Sequence, residues 1–241
     1  MKNSLKQDLG ALIIEGNKVF LPKEHLNDYA GLKTALNKAC GKYKNNSFEF
    51  PFSAKAIIET LKTGEVIDFK KEFQFFHTDK QVSSQMMNEI IGYPKKILEP
   101  SAGQGHLIDE LIAKYPDSKI DAVELSELNF SILKEKYRDN PNINLIQGDY
   151  MDFVPSEKYD LIFANPPFSK NKDIDHVLKM VSEKEDYGQI ISIMSTSWTF
   201  GNQKKQVAFR EFSEENFIIR TNENGAFKSS GTMVSTVLIT G

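Results

Sequence analysis

Asn165-Pro166-Pro167-Phe168 carries the most specific chemistry in this 241-residue chain. It closes the apolar stretch Tyr159-Asp160-Leu161-Ile162-Phe163-Ala164, which has the character of a buried strand. Proline lacks an N–H and has a fixed φ, so two in succession make a stiff turn without two backbone donors. What remains are acceptors: the Asn165 side-chain carbonyl and the Pro166 main-chain carbonyl. Two acceptors at fixed geometry bind both hydrogens of an amino group on a flat ring and steer its nitrogen lone pair out of the ring. Phe168 adds a face on which that ring can stack. Such catalysis is positioning and electrostatics, with no covalent enzyme intermediate. A structural Pro-Pro turn is the plain alternative, and three further strand ends weigh against it.

Lys96-Ile97-Leu98-Glu99 runs into Pro100-Ser101-Ala102-Gly103-Gln104-Gly105, after which a helix begins at once. Glycines at 103 and 105 allow a sharp turn and let a ligand touch the main chain. The third glycine of a dinucleotide fingerprint is absent, and Glu99 would repel a pyrophosphate while suiting a cationic amine. The next strand ends in Glu124-Leu125, with Glu124 twenty-one residues past Gly103, where a carboxylate can accept both hydroxyls of a ribose. A third ends in Gly148-Asp149-Tyr150, placing an acceptor for an adenine amino group. Singly, each acid is an ordinary exposed strand-end carboxylate. Together they make a site for an adenosine that bears an amine rather than phosphates, which is S-adenosyl-L-methionine.

These residues need a scaffold that brings strand ends together. From residue 80 onward strands centred on 97, 122, 144, 161 and 191 alternate with helices, and Phe217–Arg220 with Val234–Ile239 forms a closing antiparallel pair. That pattern predicts an α/β fold, a parallel sheet covered on both faces, with ligands at the carboxyl ends of its strands. The front of the chain differs. It predicts a hairpin around Gly16-Asn17, a helix from Leu26 to Cys40 stopped by a left-handed Gly41, and a second hairpin at Asn45-Asn46. A short helix then runs from Ser53 to Leu61 and ends near Gly64. Residues 1–72 are therefore expected to be a small α+β segment and 73–241 the main domain, with Phe69, Phe73, Phe75 and Phe76 as the seam.

Composition narrows the class. Hydrophobic residues make up 40% and charged residues 26%, which excludes a disordered or collagen-like chain. Net charge is -3, so the whole chain is not a basic nucleic-acid binder, although residues 1–75 hold twelve lysines against nine acids. The single cysteine, Cys40, offers no disulfide or zinc pattern. No apolar run approaches the roughly 20 residues of a membrane span, and the N-terminus is polar; a soluble cytoplasmic protein is expected.

The run Glu99 to Gly105, with Glu124, Asp149 and Asn165-Pro166-Pro167-Phe168, resembles the class I methyltransferases that make N6-methyladenine in DNA. Phe73–Phe76, Asp173–Val177 and Phe227–Thr232 extend the resemblance to compact phage- and plasmid-type bacterial enzymes. It implies a Rossmann-like class I sheet and S-adenosyl-L-methionine as cofactor, with adenine-containing DNA as the partner. It also implies cofactor contact from His77 and Thr78. Glu99 would hold the methionine amine, with Ser101, Ala102, Gly103 and Gly105 lining the turn; Glu124 and Leu125 would serve the ribose, Asp149 and Tyr150 the adenine. Asn165, Pro166, Pro167 and Phe168 take the catalytic and base-holding roles. Phe227 is the candidate to pack on the flipped base, and a hairpin core is its equal alternative.

Larger members of that family carry a separate target-recognition domain. Selectivity here is expected from the front segment, from residues 195–213, from a partner, or to be weak. Trp198–Gln206 mixes an aromatic, amides and the pair Lys204-Lys205, which suits phosphate and base contacts or an ordinary solvated loop. His106 could approach the cofactor and His176 could pair with Asp173 or Asp175, but structural roles are expected of both; no metal site is expected. A methyltransferase acting on an RNA base amine or a protein glutamine amide, and an inactive DNA-holding partner subunit, remain open alternatives.

Overall fold

Alternating apolar strands and helices fold as their pattern predicts in the computed structural model, which describes residues 2–50, 53–64, 80–221 and 235–241. The chain divides into two compact units: Met1–Gln74 with Lys134–Lys136, and Phe75–Leu133 with Tyr137–Gly241. The expected boundary at 72/73, and the phenylalanine seam, lie outside the described residues.

The front unit contains α1 (Asn3–Gly10), β1 (Ile13–Glu15), β2 (Lys18–Phe20), α2 (Tyr29–Lys38), β3 (Lys42–Lys44), β4 (Ser47–Glu49) and α3 (Ala54–Thr63). Its sheet has the order β1-β2-β4-β3, antiparallel throughout. Asn45 and Asn46 both have positive φ (51° and 61°), as a tight two-residue hairpin turn requires. The predicted role of Gly41 is corrected: Cys40 takes the left-handed position (φ 67°). Gly41 is instead demanded by close packing, because a Cβ there would lie 2.8 Å from the Phe50 ring and from the Leu36 carbonyl.

Helix α1 had no signal in its polar sequence, and one buried acid explains its place. Asp8 accepts the Asn27 N–H and the Asn27 amide, each at 2.9 Å, and the Asp28 N–H at 2.6 Å. Asp28 in turn caps α2 through the Gly31 N–H. Burial pushes the Asp8 carboxyl up, but the donors of Asn27 and Asp28 outweigh it and hold it below the usual carboxylate range. Asp8→Asn is therefore expected to destabilise the chain at neutral pH. The gap from wild type is full above the unfolded carboxyl pKa and closes as pH falls through the lowered folded value. Urea titrations of both proteins between pH 2 and 7 measure it, and a gap independent of pH would refute the role.

The second unit contains α4 (Lys80–Asn88), β5 (Lys96–Glu99), α5 (His106–Lys114), β6 (Lys119–Glu124), α6 (Glu127–Lys136), β7 (Ile143–Gln147), β8 (Tyr159–Ala164), α7 (Lys172–Glu183), β9 (Lys184–Ser195), α8 (Ser197–Phe200), α9 (Lys204–Asn216), β10 (Ile218–Thr221) and β11 (Thr236–Thr240). Its seven strands have the order β10-β11-β9-β8-β5-β6-β7. Strands β5 to β9 run parallel, while β11 and β10 are antiparallel additions. Side chains alternate between two buried clusters. Ile97, Leu161, Phe163, Ile191 and Ile193 face α4 and α5, whereas Leu98, Ile162, Ala164, Ile190 and Met194 face α7 and α9. The sheet is thus a mostly parallel, Rossmann-like sheet with helices on both faces.

The chain winds from β5 outward to β7, then returns to place β8 on the other side of β5. The β5/β8 boundary is the topological switch point, where the crevice outside the carboxyl ends is the natural ligand site. Strand β9 starts at Lys184, earlier than its apolar core announces, and its pairing with β8 is irregular between Tyr159 and Leu161.

Candidate active site

Glu99 ends β5 with only 1% of its surface exposed. Its Oε1 accepts the Ser101 N–H at 3.1 Å, while its buried Oε2 has no hydrogen-bond partner among the described residues. Burial drives the carboxyl well above its usual range, and the nearby Glu124 carboxylate adds to the rise. A buried acid with an open oxygen suits an ammonium group and would reject a phosphate. Glu124 at the end of β6 ties the adjoining turns together: Oε2 accepts the Gly103 N–H and Oε1 the Ser126 N–H, both at 2.7 Å. Leu125 beside it is 61% exposed, an apolar side chain at the rim.

Gly103 and Gly105 have φ of 54° and 79°. At Gly105 a Cβ would also collide with the Tyr137 hydroxyl, which lies 2.7 Å from the Gly105 carbonyl oxygen. The Ala102 N–H is used by the Val123 carbonyl at 2.9 Å, so this residue shapes the turn without offering a donor. Asp149, after β7, is half-buried and accepts the Met151 N–H through Oδ1.

Tyr150 requires a correction. Its ring is in the core beneath α7, its hydroxyl donates to Glu183, and the Lys179 ammonium lies 5.1 Å from the ring centroid. Its side chain is thereby taken up in packing and cannot flank an adenine in the open. His176 is also redirected: it pairs with neither Asp173 nor Asp175. Its ring packs on Tyr150 at 5.0 Å, and Nδ1 lies 3.5 Å from the Ser101 hydroxyl. Burial lowers its pKa to about 4, so the ring is neutral at physiological pH.

Asn165 and Phe168 are half-buried at the carboxyl end of β8, next to β5, with Pro166 buried between them. Phe168 packs against the cluster that includes Val82, Met86 and Ile97. The turn beyond Phe168 was not expected from the sequence. Lys170 and Asn171 are consecutive left-handed residues (φ 56° and 57°), a strained pair of a kind that clusters at functional sites. The Asn171 amide donates to Gln203 Oε1 at 2.9 Å and accepts from Gln206 Nε2 at 3.1 Å, fastening the start of α9 to the turn. Asp173, fully buried, receives the Ser195 N–H and hydroxyl at 3.0 and 2.8 Å and so joins α7 to the end of β9.

The stretch expected as a loop or contact segment forms α8 and the start of α9. Lys204 is exposed, whereas Lys205 is ion-paired with Asp175. His77, Thr78 and Phe227 lie outside the described residues. Among the described residues no cluster of His, Cys, Asp and Glu could hold a metal ion, and no helix is long and apolar enough to cross a membrane.

Residues 75–187 match the family model described as methyltransferase small domain. Malonyl-[acyl-carrier protein] O-methyltransferase 1 of Ilyobacter polytropus is 31% identical over 154 residues, covering 61% of this chain and 55% of the relative. Type II methyltransferase M.AccI of Acinetobacter calcoaceticus is 31% identical over 134 residues, covering 55% of this chain and 23% of the relative. The chain therefore spans about half of one curated relative and a quarter of the other. Among solved structures, the methyltransferase subunit of a type I restriction-modification system from Streptococcus thermophilus superposes with a TM-score of 0.59 at 14% identity. That match covers 77% of this chain and 48% of that one. Residues 75–187 are thus similar to a small methyltransferase domain, the sheet has the Rossmann-like class I methyltransferase fold, and the cofactor of that fold is S-adenosyl-L-methionine.

Proposed function

We propose that the chain transfers a methyl group from S-adenosyl-L-methionine to the exocyclic N6 amino group of adenine in DNA. In this reading residues 73–241 are the catalytic domain and residues 1–72 a separate segment. The observation that carries it is Asn165-Pro166-Pro167-Phe168 at the carboxyl end of β8, beside β5 at the switch point. Glu99, Glu124 and Asp149 are the residues that would hold the amine, the ribose and the adenine of the cofactor. The open, buried Glu99 Oε2 supports that fit.

Bound there, the cofactor supplies an electrophilic methyl group on a sulfonium. The chain's part is to present the nucleophile. Asn165 Oδ1 and the Pro166 carbonyl accept the two hydrogens of the amino group, which draws the nitrogen lone pair out of conjugation with the ring. Positive charge developing on this nitrogen as it took the methyl would be stabilised by both acceptors, the S–C bond would break to leave a neutral thioether, and the nitrogen would then lose a proton to solvent. Phe168 holds the ring, and a base in duplex DNA must leave the stack to reach it. A carboxylate such as a malonyl group fits this turn poorly, because it would bring negative charge against acceptors.

The test is methyl transfer by the purified chain from labelled S-adenosyl-L-methionine to mixed DNA, with RNA, a glutamine-bearing peptide and malonyl carrier protein as competitors. Nucleoside mass spectrometry should place the label in N6-methyldeoxyadenosine. Label recovered only from a competitor overturns the substrate, and no label from any acceptor overturns the activity.

A further inference from the structure

Phe200 is the last residue of α8 and is 72% exposed. It sits on a rigid support. One terminal nitrogen of Arg210 reaches the carbonyls of Trp198, Thr199 and Gly201 at 3.0, 3.0 and 3.3 Å, and the Trp198 ring packs edge-on against Phe209 at 4.9 Å. Three residues further on, Gln203 bonds Asn171, itself three residues past Phe168. The segment that carries the exposed aromatic is therefore fastened to the turn that follows Phe168.

Lysines lie on both of the tied segments, Lys204 next to Gln203 and Lys170 and Lys172 on either side of Asn171. Lys170, Lys172 and Lys204 are all exposed, and among the described residues none is in an ion pair. The acids of this edge are already engaged: Asp173 is buried against Ser195, and Asp175 holds Lys205. A preorganised aromatic face, with exposed lysines on the segments tied to it and the turn proposed to hold a flat ring close by in the chain, has the chemistry of a nucleic-acid strand site, where bases stack and phosphates pair.

We propose that this rim grips the nucleotides flanking the methylated base, with Phe200 stacking on a neighbouring base and Lys170, Lys172 and Lys204 meeting the phosphates. The proposal rests on the nucleic-acid reading of the Asn165 site. An acidic carrier protein would use the lysines but would gain little from an exposed ring, so the aromatic favours the strand.

The test uses the full chain and a fluorescein-labelled single-stranded oligonucleotide, followed by anisotropy over a range of salt, with calorimetry of S-adenosyl-L-methionine alongside. Phe200→Ala should weaken the oligonucleotide about tenfold without changing the salt slope, and Phe200→Trp should restore affinity. Lys170→Asn combined with Lys204→Gln should reduce the salt slope by about 1.4; asparagine is chosen because it tolerates left-handed backbone. Cofactor affinity should stay unchanged in all three. Wild-type oligonucleotide affinity in Phe200→Ala, or an equal loss of cofactor binding, overturns the rim while leaving the reaction intact if wild type methylates DNA. If wild type binds no oligonucleotide but takes a carrier protein whose affinity only the lysine variant lowers, both the rim proposal and the substrate reading fall.

Discussion

Asn165→Ala is expected to lose up to about a thousandfold in kcat on DNA while binding S-adenosyl-L-methionine as the wild type does. Removing one preorganised hydrogen-bonding group from a charge-developing transition state costs roughly 3–4 kcal/mol, the upper part of which corresponds to that loss. The residue is half-buried after β8, whereas the carboxylates proposed for the cofactor follow β5, β6 and β7, so the two proposed functions separate by strand. Asn165→Asp retains the acceptor oxygen and should recover part of the rate, although it abolishes the amide donor. The pair of variants tests the proposed clamp directly, because an amide donor as the working group would make both equally inactive. Single-turnover methylation with calorimetry of the cofactor measures both properties. Near-normal turnover in Asn165→Ala would show that the asparagine is not the clamp.

The strand-end positions of the proposed site residues were legible because apolar runs and strand order carry them. Glu99, Glu124, Asp149 and Asn165 each terminate an apolar run, and the sheet order follows from right-handed crossovers between such runs. The polar ties around the site had no comparable signature. Asp173 meets Ser195 at a separation of 22 residues, Asn171 meets Gln203 and Gln206 at 32 and 35, and Ser101 meets His176 at 75. Nothing local distinguishes such a residue from one that faces water. Tyr150 failed for a related reason: an aromatic beside an acid at a strand end suggests a ring stack, yet the buried Glu183 offered its hydroxyl a partner. In the front unit, α1 is held by Asp8 reaching Asn27 and Asp28, a tertiary contact that its polar sequence conceals.

Glu99 gives the second large effect, and with two opposite signs. Burial raises its carboxyl well above the ordinary range, the Glu124 charge raises it further, and the Ser101 N–H opposes both. Without a cation beside it, the folded chain holds this proton more tightly than the unfolded chain does. Glu99 therefore lowers stability as pH climbs from the unfolded value through the raised one. An ammonium against Oε2 reverses the preference, so cofactor binding must expel the proton wherever pH is below the raised pKa. Affinity for S-adenosyl-L-methionine is then expected to rise about tenfold per pH unit and to flatten above it. Glu99→Gln keeps the shape but cannot ionise. It should weaken the cofactor about 30-fold at the plateau, near 2 kcal/mol for a hydrogen bond to a charged group, and abolish the pH slope. The same substitution removes an unpaired buried carboxylate and should stabilise the cofactor-free chain at neutral pH. Calorimetry in two buffers of different ionisation enthalpy, with urea titrations of the free protein, reads both signs. A wild-type affinity flat in pH, or a Glu99→Gln variant less stable than wild type, would remove the case for a carboxylate kept destabilised until the amine arrives.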